Sequence, residues 1–420
     1  YKVERKLRDL SMSAPSAAPG NREAEARVRA GSPHLTPDQV LGVVRALQNR
    51  LSVVTGLPGT GKTTILRALV DELGRRRQSY ALCAPTGKAA KRISESTGAE
   101  AKTIHRLLEF SPESGFRINR ENPLGVDYLV VDETSMVDVL LMAHLLDAVD
   151  PARTSVVLVG DSDQLPSVGP GNVLRDIITG AVCHVTRLTQ IHRQAEQSGI
   201  VLLAHMVNAG QKPSMEAMAL RRDIRWIEAD DPEEARDAVL RVIREVPFAE
   251  QEIHVLSPMR RGTLGVEELN RGIRVVLRGK ATAVGEEFRG FRRDDRVIHL
   301  VNNYNKDVFN GEVGVVAKVD GENGAVNVDY GDKIVPYDAG DLDQLGLAYA
   351  LTIHKSQGSE FPCVVMPVHT QHYIMLKRQV LYTGLPRAKR MLVLVGSDKA
   401  LATAVRNNEE QKRYTGLFRS

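Results

Sequence analysis

Residues 51–63 read Leu51-Ser52-Val53-Val54-Thr55-Gly56-Leu57-Pro58-Gly59-Thr60-Gly61-Lys62-Thr63, a short apolar run ending in a glycine-rich turn and a Lys-Thr pair. The last eight residues fit G-x-x-x-x-G-K-[ST] at every fixed position, with an apolar strand before them and a helical pattern after. Glycines in such a turn let successive backbone N–H groups wrap a β-phosphate. Lys62 supplies charge to the β- and γ-phosphates, the Thr63 hydroxyl is placed for Mg2+, and Thr64 follows it into the helix. The bland alternative is a glycine-rich turn in an ordinary strand–helix unit.

Outward from this turn, apolar runs alternate with helical stretches. Strands are predicted over 51–55, 80–84, 128–131 and 156–159, and helices over 63–73, 88–96 and 139–149. Unbroken Val/Leu runs bounded by turn residues suit strands buried on both faces, so the pattern predicts an α/β fold with a parallel sheet. A polar piece, residues 110–125, interrupts it and is expected as an inserted hairpin flanked by Phe110 and Phe116. A second alternation begins near Ile191, with strands over 253–256, 364–368 and 391–396 and a helix over 265–277. Within it lies a different texture, 286–344, where short alternating strands are separated by Asn-Gly and Asp-Gly-Glu-Asn-Gly turns, as in a small all-β insertion.

These patterns divide the chain into a first core domain (35–190, carrying the hairpin 109–125), a second (191–285 and 345–420) and the β insertion (286–344). Residues 1–34 are expected to be a linker, dense in Ser, Ala and Pro over 11–20, attached to the remnant of a preceding domain, because the chain starts at Tyr1.

Composition narrows the function classes. The 420 residues are 42% apolar and 26% charged, which excludes disorder for the bulk of the chain. No apolar run approaches the length of a bilayer span, so no membrane partner is expected. Cys83, Cys183 and Cys363 form no CxxC pair, so neither a disulfide framework nor a zinc site is indicated, and a reducing, cytoplasmic setting is expected. Net charge is +4 and aromatics are 5%, which argues against a broadly basic nucleic-acid coat but not against a local basic groove.

The phosphate turn needs an acidic partner at a strand end, and Tyr128-Leu-Val-Val-Asp132-Glu133 provides one. Asp132 is expected in the Mg2+ shell, and Glu133 is expected to polarise the attacking water, giving ATP hydrolysis by in-line attack on the γ-phosphate. After the next run, Gln164 can orient water or sense phosphate loss; a solvated turn is its plain alternative.

The full series of motifs resembles superfamily 1 helicases, specifically the RecD-like branch of subgroup B. It comprises Leu35-Thr-Pro-Asp-Gln39, the phosphate turn, Ala84-Pro-Thr-Gly-Lys88-Ala-Ala-Lys91-Arg92, Thr103-Ile-His105-Arg106, Val131-Asp-Glu-Thr-Ser-Met136, Gly160-Asp-Ser-Asp-Gln164, Leu188-Thr-Gln-Ile-His192-Arg193, Leu256-Ser-Pro-Met-Arg260, Ala350-Leu-Thr352-Ile-His354-Lys355-Ser-Gln357-Gly-Ser-Glu360 and Leu381-Tyr-Thr-Gly-Leu-Pro-Arg387. The resemblance implies two RecA-like P-loop core domains with parallel sheets, an inserted β-hairpin pin and a small SH3-like β-barrel. It implies that Gln39 contacts adenine, that Gly358 and Glu360 lie at the nucleotide, Glu360 on its sugar, and that Arg193 and Arg387 are arginine fingers. One departure is Pro386, where the family usually has Thr; a lost N–H there threatens the position of Arg387.

Single-strand contacts are expected from Pro85, Thr86, Lys88, His105 and Arg106 in the first core domain and from Met259, Arg260, Asn270, Thr352, His354 and Lys355 in the second. Their mix of hydroxyls, cations and rings suits phosphate contact and base stacking without base readout. In the hairpin, Phe110 or Phe116 is expected either to stack on the duplex junction or to pack the hairpin onto the core. In the barrel, Asn302, Asn303, Tyr304 and Lys306 are expected strand contacts. The implied activity is an ATP- and Mg2+-dependent DNA helicase in repair or recombination, with 5′ to 3′ polarity coming from the resemblance alone. Implied partners are single-stranded DNA, 5′-tailed duplexes and single-strand-binding or repair proteins, for a nucleoid-associated monomer. Alternatives are an RNA-directed helicase, an ATP-switched single-strand clamp without unwinding, and a subunit of a larger recombination nuclease.

Overall fold

A computed structural model describes residues 2–13, 20–191, 196–279, 287–303, 305–321, 324–409, 413 and 417–418. The chain divides into two compact units, residues 1–197 with 410–420, and 198–409.

Unit 1 begins with helices α1 (Lys2–Met12), α2 (Asn21–Gly31) and α3 (Pro37–Gln48). Its strands are β1 (Leu51–Gly56), β2 (Tyr80–Ala84), β3 (Ala101–Thr103), β4 (Phe110–Ser111), β5 (Gly115–Phe116), β6 (Tyr128–Val131), β7 (Ser155–Gly160) and β8 (His184–Leu188). Helices α4 (Lys62–Arg75), α5 (Gly87–Thr97), α6 (Ile104–Leu107), α7 (Val139–Asp147) and α8 (Val173–Thr179) connect them. Six strands form one parallel sheet in the order β3-β2-β6-β7-β1-β8. Alternate residues of the same strands enter different cores. Val54, Val130 and Val157 join α3, α4 and α5, whereas Val53, Val131 and Leu158 join α7 and α8. Burial on both faces is why these strands read as continuous apolar runs.

Of the N-terminal stretch expected as a linker and domain remnant, helices α1 and α2 are built into unit 1, and residues 14–19 lie outside the described residues. Val3, Leu7 and Leu10 recur at helical spacing and bury in the α7–α8 core, and Lys2 and Lys6 both pair with Asp147. Ala24 and Val28 of α2 bury against the opposite core. The amphipathic period thus outweighs the Ser/Ala/Pro-rich composition that follows α1.

Unit 2 contains α9 (Gly199–Asn208), α10 (Met215–Ala219), β9 (Ile224–Glu228), α11 (Pro232–Glu245), β10 (Ile253–Ser257) and α12 (Val266–Arg278). A run of short strands follows: β11 (Glu287–Phe288), β12 (Phe291–Arg292), β13 (Arg296–His299), β14 (Val313–Asp320), β15 (Ala325–Asp329), β16 (Ile334–Asp338) and β17 (Leu345–Leu347). The unit closes with β18 (Ala350–Thr352), β19 (Phe361–Val368), α13 (Arg378–Gly384), β20 (Ala388–Gly396) and α14 (Asp398–Arg406). A parallel sheet runs in the order β18-β10-β19-β20-β9, leaving β18 at one edge. The insertion is an antiparallel sheet, β16-β15-β14-β13-β17, around its own cluster of Val297, Val316, Val326, Val328 and Tyr337. Buried polar groups tie it to the parallel layer. Arg296 donates to the carbonyls of Ile253 and Glu250, and Asp295, with no exposed surface, accepts from Tyr349 Oη at 3.0 Å and pairs with Arg274 at 2.9 Å.

Candidate nucleotide site and nucleic-acid interface

The strand order of unit 1 places the C-terminal ends of β1, β7 and β6 side by side, with Thr55 opposite Gly160 and Val131 opposite Leu158. Loops leaving those ends therefore converge, as ligand sites do at the carboxyl edge of parallel sheets. From β1 comes the glycine-rich turn. Gly59 (φ 78°) and Gly61 (φ 84°) occupy the left-handed region, and Gly61 is the N-cap of α4. At Gly56 a Cβ would lie 2.6 Å from Thr60 Oγ1 and 2.8 Å from Leu188 Cβ, so only glycine lets the turn fold this tightly. Lys62 Nζ donates to Gly56 O at 2.6 Å and Leu57 O at 3.3 Å, which holds its charge within the turn. Thr63 is exposed and Thr64 half-buried on the first turn of α4.

Gln39 stands behind the turn rather than open to solvent. It is buried, its Oε1 accepts Thr36 N at 3.0 Å in a capping box that starts α3, and its Nε2 donates to Thr60 O at 3.0 Å. The amide therefore links the start of α3 to the phosphate turn.

From β6 come Asp132 and Glu133, both buried. Glu133 adopts φ 50°, a left-handed conformation uncommon for a residue with a side chain, and its N–H donates to Asp132 Oδ1 at 2.8 Å. The kink turns the chain into the 3-10 turn Thr134–Met136, whose backbone crosses close over Gly160. Burial first, then the Glu133 charge, pushes the Asp132 carboxyl up to about 6, against the pull of Arg92 and Lys62. Arg92, from α5, donates to Glu133 Oε1 at 2.6 Å and lies 3.9 Å from Asp132. Arg92 stands in its motif with no role legible from sequence, because its partner lies 41 positions away, where local pattern says nothing. From β7, Gln164 is buried and donates to Asp161 Oδ2 at 3.2 Å.

This donor set fits a magnesium nucleotide. Among the described residues no cluster of three or more His, Cys, Asp or Glu side chains is arranged to hold a metal by itself. One carboxylate and one hydroxyl suit an ion that keeps waters and takes its remaining ligands from phosphates.

Lys88 and Thr86 sit at the N-terminus of α5, where the Thr86 hydroxyl caps the helix by accepting Ala89 N at 3.3 Å. Pro85 precedes them, half-buried, and Arg106 is exposed on α6. His105, Phe110 and Phe116 form one ring cluster, with Phe110 and Phe116 centroids 4.8 Å apart and His105 within 5.7 Å of both. Phe116 also lies 4.5 Å from His144 of α7. Phe116 packs against the α7–α8 core, and both rings stay half-buried. The hairpin is shorter than expected, with two residues per strand, Phe110 opposite Phe116. Burial holds the His105 imidazole below its ordinary value, against the pull of Asp138.

In unit 2, Met259 is half-buried, Arg260 is exposed and pairs with Glu267 at 3.8 Å, and Thr352 Oγ1 accepts Lys355 N at 3.3 Å. Desolvation, then the Arg260 charge, holds Lys355 below the usual lysine value. His354 lies beside it on the same 3-10 turn. Gly358 (φ 71°) is buried, and Glu360 pairs with Lys389 at 2.9 Å. Pro386 lies in the first turn of a short 3-10 segment, Leu385–Arg387, where a missing N–H is tolerated. Arg387 is buried and donates to Thr383 O at 3.0 Å and Ser359 O at 3.1 Å.

One expected strand contact is corrected. Asn270 is buried: its Nδ2 donates to Ala350 O at 3.0 Å and its Oδ1 accepts Ala350 N at 2.8 Å. It fastens α12 to the edge strand β18, imitating the neighbour that strand lacks. Asn303 spends its amide inside the β insertion, donating to Gln344 at 3.0 Å and accepting Lys306 N at 3.1 Å. Lys306 itself donates to Pro336 O and pairs with Asp341, and Asn302 accepts Asn310 N. Arg193 and Tyr304 lie outside the described residues.

Comparison with known proteins accords with this geometry. The family described as "AAA domain" matches residues 34–229, "UvrD-like helicase C-terminal domain" matches 347–395, and "ATP-dependent RecD-like DNA helicase SH3 domain" matches 269–330. The ATP-dependent RecD2 DNA helicase of Deinococcus radiodurans is 36% identical over 98% of this chain, which spans 56% of that protein's length. The RecBCD enzyme subunit RecD of Mycolicibacterium smegmatis is 36% identical over 89% of this chain and 72% of its own. The Bacteroides Pif1 helicase solved with ADP-AlF3 and single-stranded DNA shares the fold, at TM-score 0.55 and 20% identity over 90% of this chain and 95% of that one. With two α/β units, an SH3-type insertion and relatives of this similarity, the chain belongs to the RecD-type helicase family.

Proposed function

We propose that this chain is an ATP-hydrolysing DNA helicase that moves 5′ to 3′ on single-stranded DNA and opens duplexes in repair or recombination. The observation that carries the reading is the convergence of Lys62, Asp132 and Glu133 at the carboxyl edge of one sheet, from β1 and β6 on either side of β7. A triphosphate in the β1–α4 turn meets backbone N–H groups and the Lys62 charge, which favour the charge that gathers on the γ-phosphoryl oxygens. Glu133 orients the attacking water and takes its proton. Bound Mg2+, held by Thr63 and Asp132, supplies charge neutralisation at the phosphates. Arg193 and Arg387 are the candidate arginine fingers, and Gln39, Pro58, Gly358 and Glu360 the remaining nucleotide contacts.

The strand-holding set is Pro85, Thr86, Lys88 and Arg106 from unit 1 and Met259, Arg260, Thr352, His354 and Lys355 from unit 2. In this reading residues 109–125 form the pin, and the two α/β units serve as RecA-like motor domains. The named relatives, a RecD2 DNA helicase and a RecD subunit, support the DNA assignment.

ATPase and strand-displacement assays on 5′-tailed, 3′-tailed and blunt duplexes test it. Displacement of the 5′-tailed substrate alone is expected. Strand-stimulated hydrolysis without displacement of any substrate overturns the helicase reading.

A further inference from the structure

Glu133 is the proposed base, yet one of its carboxylate oxygens is already engaged. Arg92 Nη2 lies 2.6 Å from Oε1, a charge-assisted hydrogen bond of the strong class. A carboxylate gripped in this way has fewer lone pairs free for a water proton, and its plane is set by the guanidinium rather than by the water. Arg92 is not sealed in. Its side chain keeps 26% of its surface exposed, while that of Glu133 keeps 8%. An arginine at such a boundary can change partners without a void opening behind it.

The position of Arg92 on α5 suggests the alternative partner. Lys88 precedes it by four residues, so the two lie on one helical face about 6 Å apart. Lys88 and the cap Thr86 are the proposed strand contacts, at a helix N-terminus that itself favours anions. A phosphate bound there comes within the span of an extended arginine side chain one turn below.

We propose that Arg92 is a strand-responsive positioning residue. It restrains Glu133 when no strand is bound, and it transfers to a strand phosphate at the α5 N-terminus when one is, freeing Glu133 to orient water. The inference rests on the helicase reading and adds the physical link by which strand binding raises hydrolysis.

The test compares wild type, R92Q and R92K, using oligo-dT as the strand. In R92Q the strand-free kcat is expected to rise several-fold while the stimulated kcat changes little, so that the stimulation ratio falls by the same several-fold factor. KM for ATP stays within about twofold. Loss of one phosphate contact lowers the slope of log affinity against log salt by about 0.7. R92K keeps the positive charge and retains that slope, but its ammonium holds Glu133 less well, so its ratio falls between the other two. Circular dichroism melting checks that each variant folds, and R92K carries the test alone if R92Q does not. An unchanged stimulation ratio and salt slope overturns the inference. So does equal loss of basal and stimulated rates, which makes Arg92 a support for Glu133 rather than a restraint. A wild type whose ATPase ignores oligo-dT overturns the helicase reading itself, and this inference with it.

Discussion

Replacing Asn270 with Ala separates two incompatible roles for one residue. If Asn270 holds DNA, the variant loses strand affinity and keeps its stability. If it fastens α12 to β18, the reverse follows. The structure fixes the size of the second outcome. The Ala350 N–H and C=O both face the Asn270 amide, at 2.8 and 3.0 Å, and Ala350 has no exposed surface. Tyr349 O, by contrast, turns to β10 and accepts Val255 N. Truncation therefore orphans one buried donor and one buried acceptor, at about 1–3 kcal/mol each, or about 2–6 kcal/mol together. For a domain of this size, at about 2–4 °C per kcal/mol, the melting temperature falls by roughly 4–24 °C. Scanning calorimetry measures the fall, and fluorescence anisotropy with a labelled oligo-dT measures strand affinity on the same preparation. A variant that melts within about 1 °C of wild type and binds the strand several-fold more weakly refutes the structural assignment.

Three further outcomes are expected. Lys62→Ala removes the cation from the phosphate turn and lowers kcat for ATP by about 100–1,000-fold while leaving strand binding measurable, so hydrolysis within tenfold of wild type rejects the site. Phe116→Ala frees the hairpin from His144 and costs about 1–3 kcal/mol, because the ring is only half-buried. Its strand-stimulated ATPase should persist while strand displacement falls, and undiminished displacement rejects residues 109–125 as the pin. His372 is buried in unit 2, where loss of hydration lowers its imidazole from 6.5 to about 4. The unfolded chain then binds the extra proton first, so stability is complete above pH 6.5 and declines toward pH 4, by about 3 kcal/mol. His372→Phe flattens that slope in urea titrations between pH 4 and 7; an unchanged slope places the titrating group elsewhere.

The parts of the fold legible in the sequence are those with a local signature. The inner strands β1, β6, β7, β10, β19 and β20 are buried along most of their length and appear as apolar runs, whereas the edge strands β3, β8, β9 and β18 are short or partly exposed and give no such run; the β insertion announces itself through its turns. The phosphate turn is legible for the same reason, since the positive φ of Gly59 and Gly61 demands glycine. The α1 helix also carries a local signature, the helical spacing of Val3, Leu7 and Leu10, which the Ser/Ala/Pro-rich composition that follows masks. Asn270, Asn303 and Arg92 belong to another class. Each is a polar residue whose role is set by a partner 41 to 80 positions away. Nothing in the neighbouring residues distinguishes an amide that clamps an edge strand from one that touches a phosphate.

The buried ties between the β insertion and its parallel layer bear on how unit 2 melts. If the insertion came apart alone, Arg296 would withdraw from the Ile253 and Glu250 carbonyls, and Tyr349 and Arg274 would lose Asp295. Each broken tie leaves polar atoms of the remaining layer without their partners, so separate melting of the insertion carries a cost of about 1–3 kcal/mol for each group that stays buried. These shared buried contacts couple the melting of the insertion to that of its host. Excising residues 286–344 as though they were a detachable module would therefore unseat the layer that carries Arg387.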